Sequence, residues 1–286
     1  MRIGIRLAAA AACASLWVTP ASAQSAATET EKGWKDTGEF SFVATEGNSD
    51  TTTLGLKNKL WRKWDRNAFE LNAAGVRSEG TTNRRAVGTP GNFDVEEDSE
   101  LTAEAYLLNG RFDREVTQKF FWFAGAGWDR NTFAGIQNRY AGLGGVGNIW
   151  SAKETVTFRT DYAVSYTRQE DVVEVPGTDE TFLGLRVSWA YWHKFGASTE
   201  YANDLAVDEN LDETTDWRAR MFNGVTVTMN ESLALKVGLT FLYDHQPSFE
   251  ELTLFDTTGT DTGTTVLVEL DELDTIFTTS LVINFL

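Results

Sequence analysis

The chain has one cysteine and two histidines among 286 residues. The cysteine, Cys13, lies in the apolar stretch 7–18, which follows Arg2 and Arg6 and precedes Ala21-Ser22-Ala23. A basic start, a short apolar run and small residues are the parts of a secretory signal, here expected to span residues 1–23. Ala10-Ala11-Ala12-Cys13 lacks the leucine of a lipoprotein site, so cleavage would carry the thiol away. Residues 24–286 then have no disulfide and no cysteine-based metal site. Beyond the signal, no run reaches the ~18 consecutive apolar residues of a membrane-spanning helix. Basic residues are also scarce. Twenty-five Lys and Arg against 42 Asp and Glu give a formal net charge of −17, and loss of Arg2 and Arg6 takes it to −19. Nucleic acid is excluded as a partner, because phosphate recognition rewards Lys and Arg. Disorder is argued against by 12% aromatic residues and ten tryptophans.

What remains is periodic. Twelve stretches read as strands: 36–45, 51–61, 67–78, 100–112, 119–129, 138–150, 154–167, 181–192, 197–206, 215–228, 232–244 and 273–285. In the seventh, Val156, Phe158, Tyr162, Val164 and Tyr166 share one face, and Thr157, Arg159, Asp161, Ser165 and Thr167 the other. The eighth sets Leu183, Leu185, Val187 and Trp189 against Gly184, Arg186 and Ser188. Period two with one apolar and one polar face marks a strand between two solvents. The fifth and sixth stretches carry Phe or Gly on both faces and leave the choice open. Short connections follow the even-numbered stretches. Longer ones, at 79–99, 130–137, 168–180, 207–214 and 245–272, follow the odd-numbered ones after a tight first turn at 46–50. That alternation predicts an all-β, transmembrane, antiparallel up-and-down barrel of about twelve strands, with both chain ends on the short-turn side. A soluble sandwich would also alternate, but soluble strands average ~5–6 residues, and these commonly run to ten or more. Aromatic girdles are expected at Trp34, Trp61, Trp64, Phe120, Trp122, Trp150, Trp189, Trp192 and Phe285 on the short-turn side. The opposite girdle would hold Trp128, Tyr140, Tyr166, Phe182, Trp217 and Tyr243.

Charge is placed unevenly. Segments 169–180, 208–216 and 244–274 contain 19 Asp and Glu and no Lys or Arg. Acidity therefore belongs to the long-connection end. On the polar faces stand Lys57, Lys59, Arg159, Arg186, Arg218, Arg220 and Lys236, with Glu70, Glu104, Asp161, Glu200 and Asp216. An Arg or Lys facing lipid at the midplane costs about 2–4 kcal/mol, so these are expected in the lumen. Lys57, Arg159, Asp161, Arg186, Glu200, Arg218, Arg220 and Lys236 are the candidate lumen charges, as paired struts or as the lining of an aqueous path. The cations on strands eight to eleven would bias such a path toward anions.

The acidic loops offer oxygen ligands, but Asp208-Glu209-Asn210-Leu211-Asp212-Glu213 lacks the spacing and glycine of a calcium loop. A solvated rim is expected, with no specific metal site and no cofactor. Divalent cations bridging it to lipopolysaccharide phosphates are a further hypothesis. His193 falls in a turn. His245, with Asp244 and Ser248, forms no triad by adjacency and belongs to no nucleophile elbow. Gly142-Leu143-Gly144-Gly145-Val146-Gly147 precedes no helix, so it is no phosphate loop; such glycines let strands approach or bend.

Four patterns carry a family resemblance: Glu46-Gly47-Asn48-Ser49-Asp50-Thr51, Tyr140-Ala141-Gly142-Leu143-Gly144, Tyr243-Asp244-His245-Gln246-Pro247, and the ending from Asp274-Thr275 to Asn284-Phe285. Together they resemble the YdiY-like, salt-induced outer membrane protein family, defined by a domain of unknown function. The resemblance implies a Gram-negative outer membrane barrel and supplies no catalytic residue. It departs at the end, where Leu286 follows the Phe285 that usually terminates such barrels. The expected protein is a non-catalytic barrel of the cell envelope linked to salt or osmotic stress. A narrow passive channel for small solutes or ions is the alternative, and an outer-rim hydrolase the second. Outer membrane lipid, lipopolysaccharide and the outer membrane assembly machinery are the expected partners, with the oligomeric state open.

Overall fold

A computed structural model describes residues 33–45, 51–89, 92–173, 180–255 and 261–285. The expected signal, residues 1–23, and the Glu46–Asp50 pattern lie outside them. The strands are β1 (Gly33–Thr45), β2 (Thr51–Trp64), β3 (Asn67–Thr89), β4 (Asn92–Glu115), β5 (Phe120–Asn131), β6 (Ile136–Ala152) and β7 (Val156–Asp171). They continue with β8 (Thr181–Phe195), β9 (Thr199–Asn210), β10 (Trp217–Thr228), β11 (Leu233–Asp244), β12 (Phe249–Phe255), β13 (Asp261–Glu269) and β14 (Leu273–Asn284). Strands β1 to β11 pair in sequence order, and β14 fits between β11 and β1 to close a twelve-stranded antiparallel barrel. The pair β12–β13 is a separate hairpin inside the connection from β11 to β14.

The alternation read from the sequence sets which side faces out. Val164, Tyr166, Leu185, Val187 and Leu235 are 45–56% exposed on the outer wall, while Asp161, Ser165, Arg186 and Ser188 are 1–8% exposed inside. Apolar side chains outside and polar ones inside invert the order of a soluble protein, as a lipid solvent requires. The ambiguous strands also resolve. Phe121 and Phe123 turn inward, and Trp122 with Val146 outward. Gly147 on β6 is an inward position where an added Cβ would strike the Phe121 ring and come within 2.7 Å of the Thr160 carbonyl oxygen. The glycine-rich strand thus leaves the space that the β5 aromatics fill.

The long-connection end differs from the sequence reading in two places. Residues 79–89 and 92–99, expected in a loop, extend β3 and β4 as a paired hairpin with register shifts at Ser78/Glu79 and Thr81/Asn83. Residues 79–99 carry no sustained apolar–polar alternation, so the pattern that reveals a strand is absent there. The connection at 245–272 contains the β12–β13 hairpin. Three girdle residues are also corrected. Trp61 and Trp192 are 5% and 2% exposed inside the barrel, and Phe182 lies inside beneath the Arg218 guanidinium at 5.8 Å. Their positions fall on the inward phase of the alternation, which outweighs the aromatic preference for the interface.

Candidate functional site

The lumen holds two differently built charge clusters. In the first, β4, β5 and β7 converge toward the short-turn end. Arg111 reaches Asp113 at 2.6 Å and Asp161 at 2.7 Å. Arg159 reaches the same two carboxylates at 3.3 and 3.1 Å. Two guanidiniums thus share two carboxylates and their charges match, while Arg111 Nη2 is buried without a hydrogen-bond partner. Beneath them, the Phe123 ring centre lies 3.8 Å from the Arg111 carbon and the Phe121 ring centre 4.6 Å from that of Arg159, distances suited to cation–π attraction. Lys59 continues the network to Glu70 at 2.9 Å, and Asn72 donates to Glu70 and Asn109. A pocket of about 70 Å³ lies beside this cluster, between Trp61, Asp113 and Arg159.

The second region spans β9, β10, β11, β14, β1 and β2. Lys236 on β11 reaches across to Glu39 on β1 at 2.9 Å. Lys57 stands opposite Glu39 in the β1–β2 register. Glu200 accepts a hydrogen bond from Trp192 Nε1 at 3.2 Å. These groups face an inner chamber of about 150 Å³, which also touches Asp204, Arg220 and Phe222. An outer chamber of about 200 Å³ lies toward the long-connection end, where Arg186 holds Asp208 at 2.6 Å. Arg218 there contacts Asp216 at 3.4 Å, Asp244 at 3.2 Å and Gln169 at 2.8 Å, and Arg139 holds Asp129 at 3.1 Å. Arg220 lines both chambers.

A strap crosses above the outer chamber. Ser248 and Leu270 flank the hairpin base, joined by a hydrogen bond from Leu270 N to Ser248 O of 3.0 Å. They pack on Gly135, which belongs to the turn between β5 and β6, halfway round the barrel from β11 and β14. Gly135 has φ +72°, and an added Cβ would lie 2.6 Å from Ser248 Cβ. Only a residue without Cβ meets both demands. Pro247 and Leu270 thereby form part of the outer chamber's lining.

The structure places the eight candidate charges in separate settings. Arg159 and Asp161 join the interlocked cluster, and Arg186, Arg218 and Lys236 have acidic partners. Lys57, Glu200 and Arg220 border the inner chamber. Sequence reasoning missed Arg111, Asp113, Glu39 and Asp204. Period-two counting outward from Phe40 and Leu205 would have put Glu39 and Asp204 inside; no local signal pairs Arg111 with Asp161. Glu104 is corrected: it stands on the outer wall and meets Arg130 at 2.7 Å. The histidines have structural partners. His193 Nδ1 meets the Tyr191 hydroxyl at 3.0 Å and its ring stacks on Phe195 at 4.0 Å. His245 Nδ1 meets the Tyr243 hydroxyl at 3.1 Å and lies 3.9 Å from Glu272. Among the described residues, no group of three or more His, Cys, Asp or Glu converges as metal ligands.

A family model described as "Protein of unknown function, DUF481" matches residues 38–269. No curated protein matches the sequence. Among solved structures, the translocator domain of autotransporter NalP from Neisseria meningitidis is 9% identical, with a TM-score of 0.44 and 91% of each chain covered. The NanC porin is 10% identical with a TM-score of 0.43, covering 87% of this chain and 97% of its own. A KdgM porin in complex with disordered oligogalacturonate is 4% identical with a TM-score of 0.39, covering 88% of this chain and 96% of its own.

Proposed function

The chain belongs to the DUF481 family of proteins of unknown function, and we propose that it is a non-catalytic outer membrane barrel of the cell envelope whose stability follows ionic strength. The observation that carries this reading is the cross-bracing of the lumen. Arg111 on β4 grips Asp161 on β7, Lys236 on β11 grips Glu39 on β1, and Arg218 on β10 donates to Gln169 on β7. Each bond spans the interior instead of following one strand pair, so together they resist shear of the wall and occupy space a wide pore would need. The acidic long-connection end supplies the link to salt or osmotic stress. Its like charges repel over a Debye length of about 30 Å at 0.01 M salt but about 3 Å at 1 M. Rising salt therefore relaxes that rim while leaving the buried braces in place. Residues 1–23 act in this reading as the secretory signal, and lipid, lipopolysaccharide and the assembly machinery are the partners.

A narrow passive channel is the second reading, favoured by the two chambers that adjoin at Arg220 beneath the strap. Planar-bilayer recording of pure refolded protein separates the two. Silence supports the braced barrel, and discrete conductance steps support the channel. For the salt link, denaturant midpoints are measured in low and high NaCl. A midpoint that does not rise with salt refutes it.

A further inference from the structure

Most inward charges described above have a hydrogen-bond or ion-pair partner among the described residues; Lys57, Asp204 and Arg220 do not, and the last two stand on adjacent strands. Asp204 on β9 is 5% exposed, and its Oδ1 has no hydrogen-bond partner. Arg220 on β10 has a buried Nε that is likewise unpartnered. In the β9–β10 register Asp204 faces Phe222 and Arg220 faces Ala206, so the two are diagonal neighbours on the inward face. Among the described residues no ion pair within 4.0 Å joins them. Both border the inner chamber. A carboxylate oxygen and a guanidinium nitrogen buried without hydrogen-bond partners are each costly, and here they stand beside an open volume. We propose that the inner chamber binds a small zwitterion, a free amino acid, with its ammonium on Asp204 and its carboxylate on the Arg220 fork.

The surroundings select this class. A simple anion would gain Arg220 and Lys57 but would face the Asp204, Glu39 and Glu200 carboxylates. A simple amine would gain Asp204, with Glu39 and Glu200 also on the chamber wall, but would face Arg220, Lys57, Lys59 and Lys236. A molecule carrying both charges satisfies both groups and adds no net charge to the lumen. Room is sufficient, since a buried water needs about 10–15 Å³ of cavity and the chamber offers about 150 Å³. Binding needs access from one mouth and no through path, so the proposal stands apart from the question of conduction.

Calorimetric titration of the refolded barrel with L-alanine, acetate and methylammonium tests it. Alanine is expected to bind at least about tenfold more tightly than either half-molecule, because it alone makes both charge-assisted contacts. Asp204→Asn should erase the preference for alanine over acetate, and Arg220→Gln should weaken alanine binding by at least about tenfold. Heat-modifiable migration in electrophoresis verifies that each variant folds. Should a variant not fold, the three-probe comparison on the parent protein decides alone. Absent alanine binding, alanine and acetate binding equally, or folded variants that bind alanine as the parent does would each overturn the proposal.

Discussion

The two charge clusters use the same residue types and end in different states. Around Arg111 and Arg159, two cations and two anions interlock, each guanidinium also lies over a phenylalanine ring, and Arg111 and Asp161 are almost inaccessible. Across the lumen, Arg220 and Asp204 remain unmatched beside a chamber. Burial alone therefore does not make a brace. The difference lies in reach and stoichiometry: β4 and β7 bring matched forks together across the interior, while β9 and β10 set theirs diagonally. A closed cluster resists change; an open one is available to a ligand. That contrast separates the part of the lumen that holds the wall from the part able to act.

The contrast can be broken most forcefully at Asp161. Asp161→Ala leaves two buried guanidiniums sharing one carboxylate, and stability should fall by about 3–5 kcal/mol. Urea unfolding of the refolded barrel in lipid vesicles measures this, and a loss below about 1 kcal/mol would mean the cluster is no brace. Val164→Arg, next to Ser165 but on the outward phase of β7, puts the same charge type into lipid. It should cost about 2–4 kcal/mol in the same experiment, which separates the penalty of an unsolvated charge from the loss of a partner. Gly135→Val tests whether the strap helps define the outer chamber. A Cβ-bearing residue at that positive φ costs about 1–2 kcal/mol, and the displaced hairpin should become more readily cleaved in limited proteolysis. The smallest effect belongs to the open pair. The double variant Asp204→Asn with Arg220→Gln removes both unmatched charges and should stay within about 1 kcal/mol of the parent. A loss as large as that of Asp161→Ala would erase the distinction between the clusters.

The fold was largely legible because each wall strand carries its own record of two solvents. Leu183 to Trp189 against Gly184 to Ser188 suffices to orient β8 without knowledge of any neighbour. Legibility faded where that record stops. In the extended ends of β3 and β4 and in the β12–β13 hairpin, the sequence carries no sustained alternation to mark the pairing. Trp61, Trp192 and Phe182 were assigned to girdles by residue type, although the phase of their strands points inward; there, position along the pleat outweighs preference.

The candidate charges were legible as a set and not as a network. That Arg159, Arg186 and Lys236 avoid lipid follows from alternation, because side-chain direction in a strand is local. Who meets whom is not local. Arg111 and Asp161 are fifty positions apart, and their contact depends on strand number, stagger and barrel diameter acting together. Whether a buried charge becomes a strut or stays open to a solute is settled only when the cylinder closes and the opposing side chains come within reach or fall short. Chain order alone thus specified the greasy outside, the wet inside and the acidic rim, each a consequence of solvent acting one residue at a time. Closure in three dimensions chose the partners, since electrostatic pairing is a property of distance across the lumen.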